Sequence, residues 1–223
     1  MLSLETLDLS ENKIERITSD MFYGLINIKK LILKKNCLEY IEQGLFDLNM
    51  SRLIELNLSS NNLISIEKDI FAELPNLKFL SLGNNQIETI EANSFDRLTS
   101  LDTLLLNGNR LNNLSNEIFK GLENSLKYLN LAQNALSVIR SDSFSTLKCL
   151  EFIALTENRI ESFDTDLFTG LDNLKKIDVD SNQFGYDKTW ADLMFNTSKS
   201  LETIIIESRY IKKPITSLQK YAE

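Results

Sequence analysis

The side chains that could do chemistry in this sequence are carboxylates and two cysteines, because its 223 residues include no histidine. That absence excludes histidine-dependent triads, general bases and metal ligands. A carboxylate pair such as Glu151 and Glu157 needs unequal environments that separate the two pKa values before it can act as acid and base. An open strand surface offers no such difference, and no phosphate-binding loop, dinucleotide fingerprint or nucleophile elbow is present. We therefore expect no enzyme.

One acidic stretch imitates the beginning of a calcium-binding loop, with Asp178, Asp180 and Asn182 at alternate positions. Gln183 stands where such a loop requires glycine, and Thr189 stands where it requires glutamate. The sequence therefore predicts neither a metal site nor a bound cofactor.

The overall charge and hydropathy exclude two further classes of partner. The chain carries 24 basic and 32 acidic residues, a formal charge of -8, and its isoelectric point is about 4.8. Such a balance argues against binding a phosphate backbone, so we expect no nucleic-acid partner. No run approaches the roughly 18 apolar residues that span a bilayer, so we expect no direct membrane insertion of this segment.

A repeat that fills most of the chain supplies the elements that must position these side chains. The pattern L-x-x-L-x-L-x-x-N-x-L recurs at steps of 24 or 25 residues, and a weaker ninth copy follows after a step of 27. The copies start at Leu4, Ile28, Leu53, Leu77, Leu101, Leu126, Leu150, Leu174 and Leu201. An asparagine column (Asn12, Asn36, Asn61, Asn85, Asn109, Asn134, Asn158, Asn182) and a phenylalanine column (Phe22, Phe46, Phe71, Phe95, Phe119, Phe144, Phe168) keep the same register.

Each copy predicts one short strand with one buried face, as in the alternation Leu80-Ser81-Leu82. Successive strands stack as a parallel sheet about 4.8 Å apart, and the segments carrying phenylalanine return the chain to the next strand. The asparagine column is interpreted as a ladder of amides that bond to the backbone of neighbouring turns. We predict a single domain over residues 1–223 with about nine repeats.

The registered columns resemble the leucine-rich repeat family in its typical 24-residue subclass, as found in animal Toll-like receptor ectodomains, Slit-type proteins and insect immune proteins. The resemblance implies an α/β fold: a right-handed, horseshoe-shaped solenoid. A parallel sheet would line its concave face, and irregular or short helical turns its convex face. It also implies a protein-binding module in innate immunity or cell adhesion. This module would be located outside the cell or at the cell surface, as part of a longer chain.

The expected partner is a protein ligand or co-receptor, and a dimer is an allowed assembly. Two alternatives stay open: an intracellular, cytoplasmic scaffold or adaptor, and a structural protein of the extracellular matrix. The absence of a signal peptide and of paired cysteines favours the scaffold. Cys37 and Cys149 fall in the second and sixth repeats, at least about 20 Å apart at one strand spacing per turn, so they cannot pair. We expect Cys37 to be exposed.

The concave face carries the candidate ligand-binding residues Phe79, Leu105, Tyr128 and Phe152. We expect them to form one apolar and aromatic patch over four consecutive turns, in a place where exposed aromatic residues act as binding hot spots. The alternative is that they pack on one another across adjacent strands and bind nothing. Nearby, Lys29, Lys30, Lys34 and Lys35 adjoin Glu5, Asp8 and Glu11, and we expect mutual neutralisation rather than an anion site.

Four N-x-S/T sequons make Asn49, Asn57, Asn113 and Asn196 candidates for glycosylation. Asn57 is expected on a strand facing the concave side, where a glycan would obstruct the third repeat.

Both ends of the repeat array depart from the pattern. Residues 182–200 are interpreted either as an irregular long repeat or as a degenerate C-terminal cap, with Trp190, Leu193 and Met194 on one helix face. At the other end the strand of Leu7 has no capping element before it. Solenoids normally need one, so we expect the native protein to extend upstream.

Overall fold

The computed structural model describes residues 3–164, 166–185, 199–206 and 209–212. Its strands are β1 (Thr6–Asp8), β2 (Lys30–Ile32), β3 (Glu55–Asn57), β4 (Ser65–Ile66), β5 (Phe79–Ser81), β6 (Thr89–Ile90), β7 (Thr103–Leu105), β8 (Tyr128–Asn130), β9 (Phe152–Ala154), β10 (Lys176–Asp178), β11 (Thr203–Ile206) and β12 (Arg209–Lys212).

Ten of these strands form one sheet in the order β1-β2-β3-β5-β7-β8-β9-β10-β11-β12. From β1 to β11 the neighbours pair in parallel, one strand for each predicted repeat, and equivalent residues lie in exact register. The predicted parallel sheet and solenoid are thereby confirmed. The last strand, β12, pairs antiparallel with β11 at the edge, and nothing in the repeat pattern predicts it.

The core lies beneath this sheet and is built from the repeat columns. The middle residue of almost every strand is fully buried, and the phenylalanines of the crossover segments fill the opposite layer. Neighbouring phenylalanine rings pack along the solenoid, with Phe144 lying 5.9 Å from Phe119 and 6.1 Å from Phe168 between ring centroids. Burial of each such side chain contributes roughly 1.5–3 kcal/mol before the entropy of the chain is subtracted.

The crossover layer contains little regular structure. Strands β4 and β6 form a small parallel pair there, and three 3₁₀ helices cover Ser19–Phe22, Leu48–Met50 and Asn116–Phe119. Ser115 caps the third of them by accepting a hydrogen bond from the backbone N–H of Glu117 at 3.2 Å. No α-helix occurs in the described ranges, so the predicted helical turns are represented only by these 3₁₀ segments.

The asparagine column forms the ladder that its sequence spacing predicted. The amide nitrogen of Asn85 donates to the carbonyls of Leu58 (3.1 Å) and Leu82 (3.0 Å), and its oxygen accepts from the N–H of Leu63 at 3.1 Å. The same three contacts recur from Asn36 to Asn182, so each turn is bonded to the one before it. The exposed Asn12 bonds only to Leu9 and Ser10 of its own turn.

A second column was not anticipated from the sequence. The residue directly before each asparagine has a positive φ, between 53° and 66°, in all eight regular repeats. These residues are Glu11, Lys35, Ser60, Asn84, Gly108, Gln133, Glu157 and Ser181. The left-handed conformation turns the chain after the strand while the N–H still donates to the next turn, as Gln133 does to Thr156 at 2.8 Å.

The ends of the array differ from its middle. In the first repeat Leu4, Leu7, Leu9 and Ile14 are only partly buried, and they border an apolar cavity of about 490 Å³. At the other end Asn182 still joins the ladder and Leu201 begins the ninth repeat. Most of the predicted irregular segment, including Trp190, Leu193 and Met194, lies outside the described residues.

Candidate functional site

The exposed face of the main sheet presents two rows of side chains, separated by the buried middle residues of the strands. The first row consists of Thr6, Lys30, Glu55, Phe79, Thr103, Tyr128, Phe152, Lys176 and Thr203. The second row consists of Asp8, Ile32, Asn57, Ser81, Leu105, Asn130, Ala154, Asp178 and Ile205. Any chemistry of this surface is therefore set by which residue each repeat places in each row.

The register corrects the arrangement predicted for the four candidate residues. Phe79, Tyr128 and Phe152 belong to the first row, whereas Leu105 belongs to the second. Thr103 stands between Phe79 and Tyr128 in the first row, so the four candidates span four consecutive turns but lie in two rows. The reason is that Leu105 follows Thr103 by two residues and reaches the same face one row further along the strand.

Two of the four candidates are in direct contact. The rings of Tyr128 and Phe152 stack with their centroids 4.7 Å apart and their planes inclined by 28°. On the other side of Phe152 the ammonium of Lys176 lies 5.2 Å from the ring centroid, which is within range of a cation–π contact. Tyr128 nevertheless keeps 37 % of its surface exposed, and Phe79, Leu105 and Phe152 are half-buried.

The phenol of Tyr128 is one titratable group of this surface whose pKa is shifted by its surroundings. Partial burial raises the pKa of Tyr128 above its usual range, and the nearby carboxylate of Asp178 raises it further. The phenol therefore stays neutral at physiological pH and offers one hydrogen-bond donor beside an apolar ring.

Charged side chains flank the sheet at the start of eight of its nine parallel strands, and β3 is the exception. The residues that precede the first row are Glu5, Lys29, Ile54, Lys78, Asp102, Lys127, Glu151, Lys175 and Glu202. The pair Lys29–Glu5 is 2.7 Å apart and Lys175–Glu151 is 2.8 Å apart. The hydrogen bond from Lys175 lowers the pKa of Glu151, and the same bond raises the pKa of Lys175.

Three of the four lysines of the second repeat pair with carboxylates of neighbouring turns, and Lys34 forms no ion pair among the described residues. The predicted partners Glu5 and Glu11 take part, whereas Asp8 accepts hydrogen bonds from Ser10 instead. Besides Lys29, the ammonium of Lys30 lies 2.7 Å from Glu55 and that of Lys35 lies 2.6 Å from Glu11. These exposed pairs contribute little to stability, because water and salt screen their attraction.

The carboxylates that were weighed as catalytic groups have ordinary structural partners. Glu151 is paired with Lys175, whereas Glu157 accepts a hydrogen bond from the side chain of Gln133 at 3.1 Å. Asp178 accepts from the backbone N–H of Asp180 at 3.2 Å, which closes the turn after β10.

Three of the four sequons lie in described residues and differ in accessibility. Asn113 is exposed, whereas Asn49 and Asn57 are half-buried. The amide nitrogen of Asn49 donates to Asp47 at 2.9 Å, and the amide oxygen of Asn57 accepts from Ser59 on β3's exposed face. Asn196 lies outside the described residues.

The two cysteines are free thiols, in agreement with their predicted separation. Both are half-buried, so the expectation that Cys37 is exposed is wrong. No helix in the described part of the chain is long and apolar enough to cross a membrane.

Comparison with solved structures finds the same architecture elsewhere. A leucine-rich repeat protein of Leptospira interrogans is 27 % identical, with a TM-score of 0.71 over 91 % of this chain and 55 % of that one. The TLR13–ssRNA13 complex aligns at 24 % identity and a TM-score of 0.71, covering 92 % of this chain and 36 % of that one, which shows the shared fold alone. This chain thus spans about half, or less, of each of these proteins.

Comparison with curated proteins gives no significant match. The sequence does match the family profile described as "Leucine rich repeat", in four overlapping stretches over residues 3–54, 51–111, 99–160 and 124–184. Those stretches cover most of the chain and coincide with the strands, the asparagine ladder and the phenylalanine column. This chain therefore belongs to the leucine-rich repeat family, whose fold is generally a non-enzymatic scaffold for protein interactions.

Proposed function

We propose that this chain is a recognition domain that binds a protein ligand or co-receptor through the exposed face of its parallel sheet. The observation that carries the proposal is the stacked pair Tyr128–Phe152, with Phe79 in the same row. Partly exposed aromatic side chains on a rigid surface provide contact area with little loss of conformational entropy on binding. The parallel sheet and the asparagine ladder hold this surface in place, so docking needs little change of shape.

The charge of the chain favours a protein over a nucleic acid as its partner. The name of the TLR13–ssRNA13 complex records an RNA bound to that receptor. The present chain carries a formal charge of -8, and phosphate backbones are bound by surfaces rich in lysine and arginine.

The proposal is tested by capturing a partner with the immobilised chain from the fluid or extract in which it occurs. The variant Tyr128→Ala/Phe152→Ala should lose a partner that the unchanged chain retains, while circular dichroism shows the same fold. Val138→Ala is the matched control, because Val138 is an apolar side chain that is 68 % exposed outside the two rows. Equal capture by all three proteins would contradict the proposal.

We further propose that the domain is extracellular or at the cell surface, as part of a receptor ectodomain. The fold shared with TLR13 and the exposed sequon at Asn113 support this location. The free thiols of Cys37 and Cys149 favour the competing role of an intracellular scaffold, because disulfides are rare in the cytosol.

Enzymatic removal of N-glycans from the endogenous protein distinguishes the two locations. A fall in mass, made smaller by Asn113→Gln, is expected for the extracellular role, and an unchanged mass would favour the scaffold.

A further inference from the structure

In the first row of the sheet the small side chain of Thr103 stands between two aromatic ones, and the space above Thr103 is called the gap below. Phe79, Thr103 and Tyr128 lie in register on three successive strands. The outer two are therefore two strand spacings apart, about 9.6 Å. On the next pair of strands, the rings of Tyr128 and Phe152 stack with their centroids 4.7 Å apart. Aromatic rings on adjacent strands of this sheet can therefore stack directly. A ring placed above Thr103 would lie one strand spacing from Phe79 and one from Tyr128.

The floor and one side of the gap are suited to an apolar, planar group. The hydroxyl of Thr103 donates to the carboxylate of Asp102 at 2.8 Å, so it needs no partner from a ligand. Leu105, half-buried on the same strand, provides an apolar wall in the second row. The polar, uncharged Ser81 and Asn130 stand on either side of Leu105 in that row.

The opposite side of the gap is positively charged. Lys78, Asp102 and Lys127 precede the three strands and are neighbours, because the N–H of Asp102 donates to the carbonyl of Lys78 and that of Lys127 donates to Asp102. Both lysines are exposed, and among the described residues neither lies within ion-pair distance of a carboxylate. The one carboxylate between them already accepts from Thr103. The two lysines and one aspartate of this rim sum to a charge of +1 in a protein whose total charge is -8. The next carboxylate along the sheet, Glu151, is paired with Lys175.

We propose that the gap over Thr103 is a slot for an aromatic side chain of a protein partner, on a segment that carries carboxylates beside that aromatic residue. The inserted ring completes a stack that runs from Phe79 through the partner to Tyr128 and Phe152. The flanking carboxylates face Lys78 and Lys127. This assignment rests on the proposed function, to which it adds the chemistry of the partner.

The test uses the full chain and three synthetic peptides, with binding followed by the methyl NMR signals of Leu105 and Thr103. The first peptide is acetyl-Gly-Asp-Trp-Asp-Gly-amide; the second has leucine in place of tryptophan, and the third has lysine in place of both aspartates. The first should bind at least tenfold more tightly than either of the others. Equal binding of the leucine peptide would overturn the aromatic slot, and equal binding of the lysine peptide would overturn the acidic partner.

Three variants locate the binding. Thr103→Phe fills the gap with a ring of the chain itself and should weaken the acidic tryptophan peptide at least tenfold. Thr6→Phe makes the same substitution in the same row, outside the gap, and should leave binding unchanged. Lys78→Glu/Lys127→Glu should reverse the preference between the acidic and the basic peptide. Binding that is unaffected by Thr103→Phe would overturn the proposal.

The peptide and capture experiments can fail separately. If partner capture depends on Tyr128 and Phe152 but not on an open gap at Thr103, the slot is wrong and the proposed function stands. If capture is independent of all three residues, both are wrong.

Discussion

Replacement of Asn85 by alanine tests how the turns are held together. Its side chain makes three hydrogen bonds of 3.0–3.1 Å, to the carbonyls of Leu58 and Leu82 and from the N–H of Leu63. Asn85 is only 8 % exposed, so water cannot easily replace these bonds. At about 1 kcal/mol of net stabilisation per bond, Asn85→Ala should lower the free energy of unfolding by about 3 kcal/mol.

The first repeat provides a matched control for this substitution. Asn12 occupies the same column, but it is exposed and bonds only to carbonyls of its own turn, those of Leu9 and Ser10. Water can take over both contacts, so Asn12→Ala should cost less than about 1 kcal/mol. The difference between the two variants therefore measures the hydrogen bonds between turns, because the change from asparagine to alanine is the same in both.

A charged variant separates the hydrogen bonds from packing. Asn85→Asp keeps the oxygen that accepts from Leu63 and nearly the same volume, but it turns a second oxygen toward the carbonyls of Leu58 and Leu82. It should be at least as destabilising as Asn85→Ala at neutral pH.

Urea unfolding followed by circular dichroism gives the three free energies, with unchanged dependence on denaturant as evidence of one cooperative transition. The reasoning is refuted if Asn85→Ala costs no more than Asn12→Ala.

Three further outcomes follow from particular contacts. Gly121→Ala should cost at least about 2 kcal/mol, because φ is +91° and an added Cβ would lie 2.3–2.5 Å from backbone atoms of Asp96; a silent substitution in thermal melts would contradict this close approach. Phe144→Ala should cost about 3–5 kcal/mol in urea unfolding, because the ring is fully buried between two others; a cost below about 1 kcal/mol would mean that the column does not form the core. Asp178→Asn should bring the pKa of Tyr128 part of the way back to its ordinary value, since burial, the larger cause, persists; ring-carbon NMR measures the shift, and no change would exclude the carboxylate as a cause.

The sequence predicted the sheet because its evidence is repeated. Eight copies place asparagine, and seven of them phenylalanine, at the same offsets from the aliphatic strand residues, so no single departure obscures the register. Even the weak copy at Leu201 forms its strand, β11. The edge strand β12 escaped prediction because it occurs once and therefore has no column of equivalents.

The left-handed column shows what repetition of residue type cannot reveal. Glycine and asparagine, which adopt positive φ most readily, occupy it only at Gly108 and Asn84. Elsewhere the position holds residues such as Glu157 or Lys35, whose local preference is different. The backbone bonds to the next turn impose the conformation, so it follows from the fold and not from the residue.

The sequence predicted that the four candidate residues share one face of the sheet, but not that they divide between two rows. Strand alternation placed Phe79, Leu105, Tyr128 and Phe152 on one face, and the structure keeps them there. The gap at Thr103 was missed because a search for large apolar residues passes over a small polar one. The gap is recognised only once the register assigns each residue to a row. Tyr128 then has Thr103 as its neighbour in the first row, whereas Leu105 has Asn130 as its neighbour in the second.

The central claim, that the exposed face of the sheet engages a protein partner, is tested most directly by site-specific photo-cross-linking. A photoreactive amino acid replaces Thr156, a half-buried residue just after β9, or Val138, which is exposed outside the two rows. After irradiation with the captured partner, a covalent adduct is predicted from position 156 and none from position 138. An adduct from position 138 alone would place the partner on another surface and contradict the account.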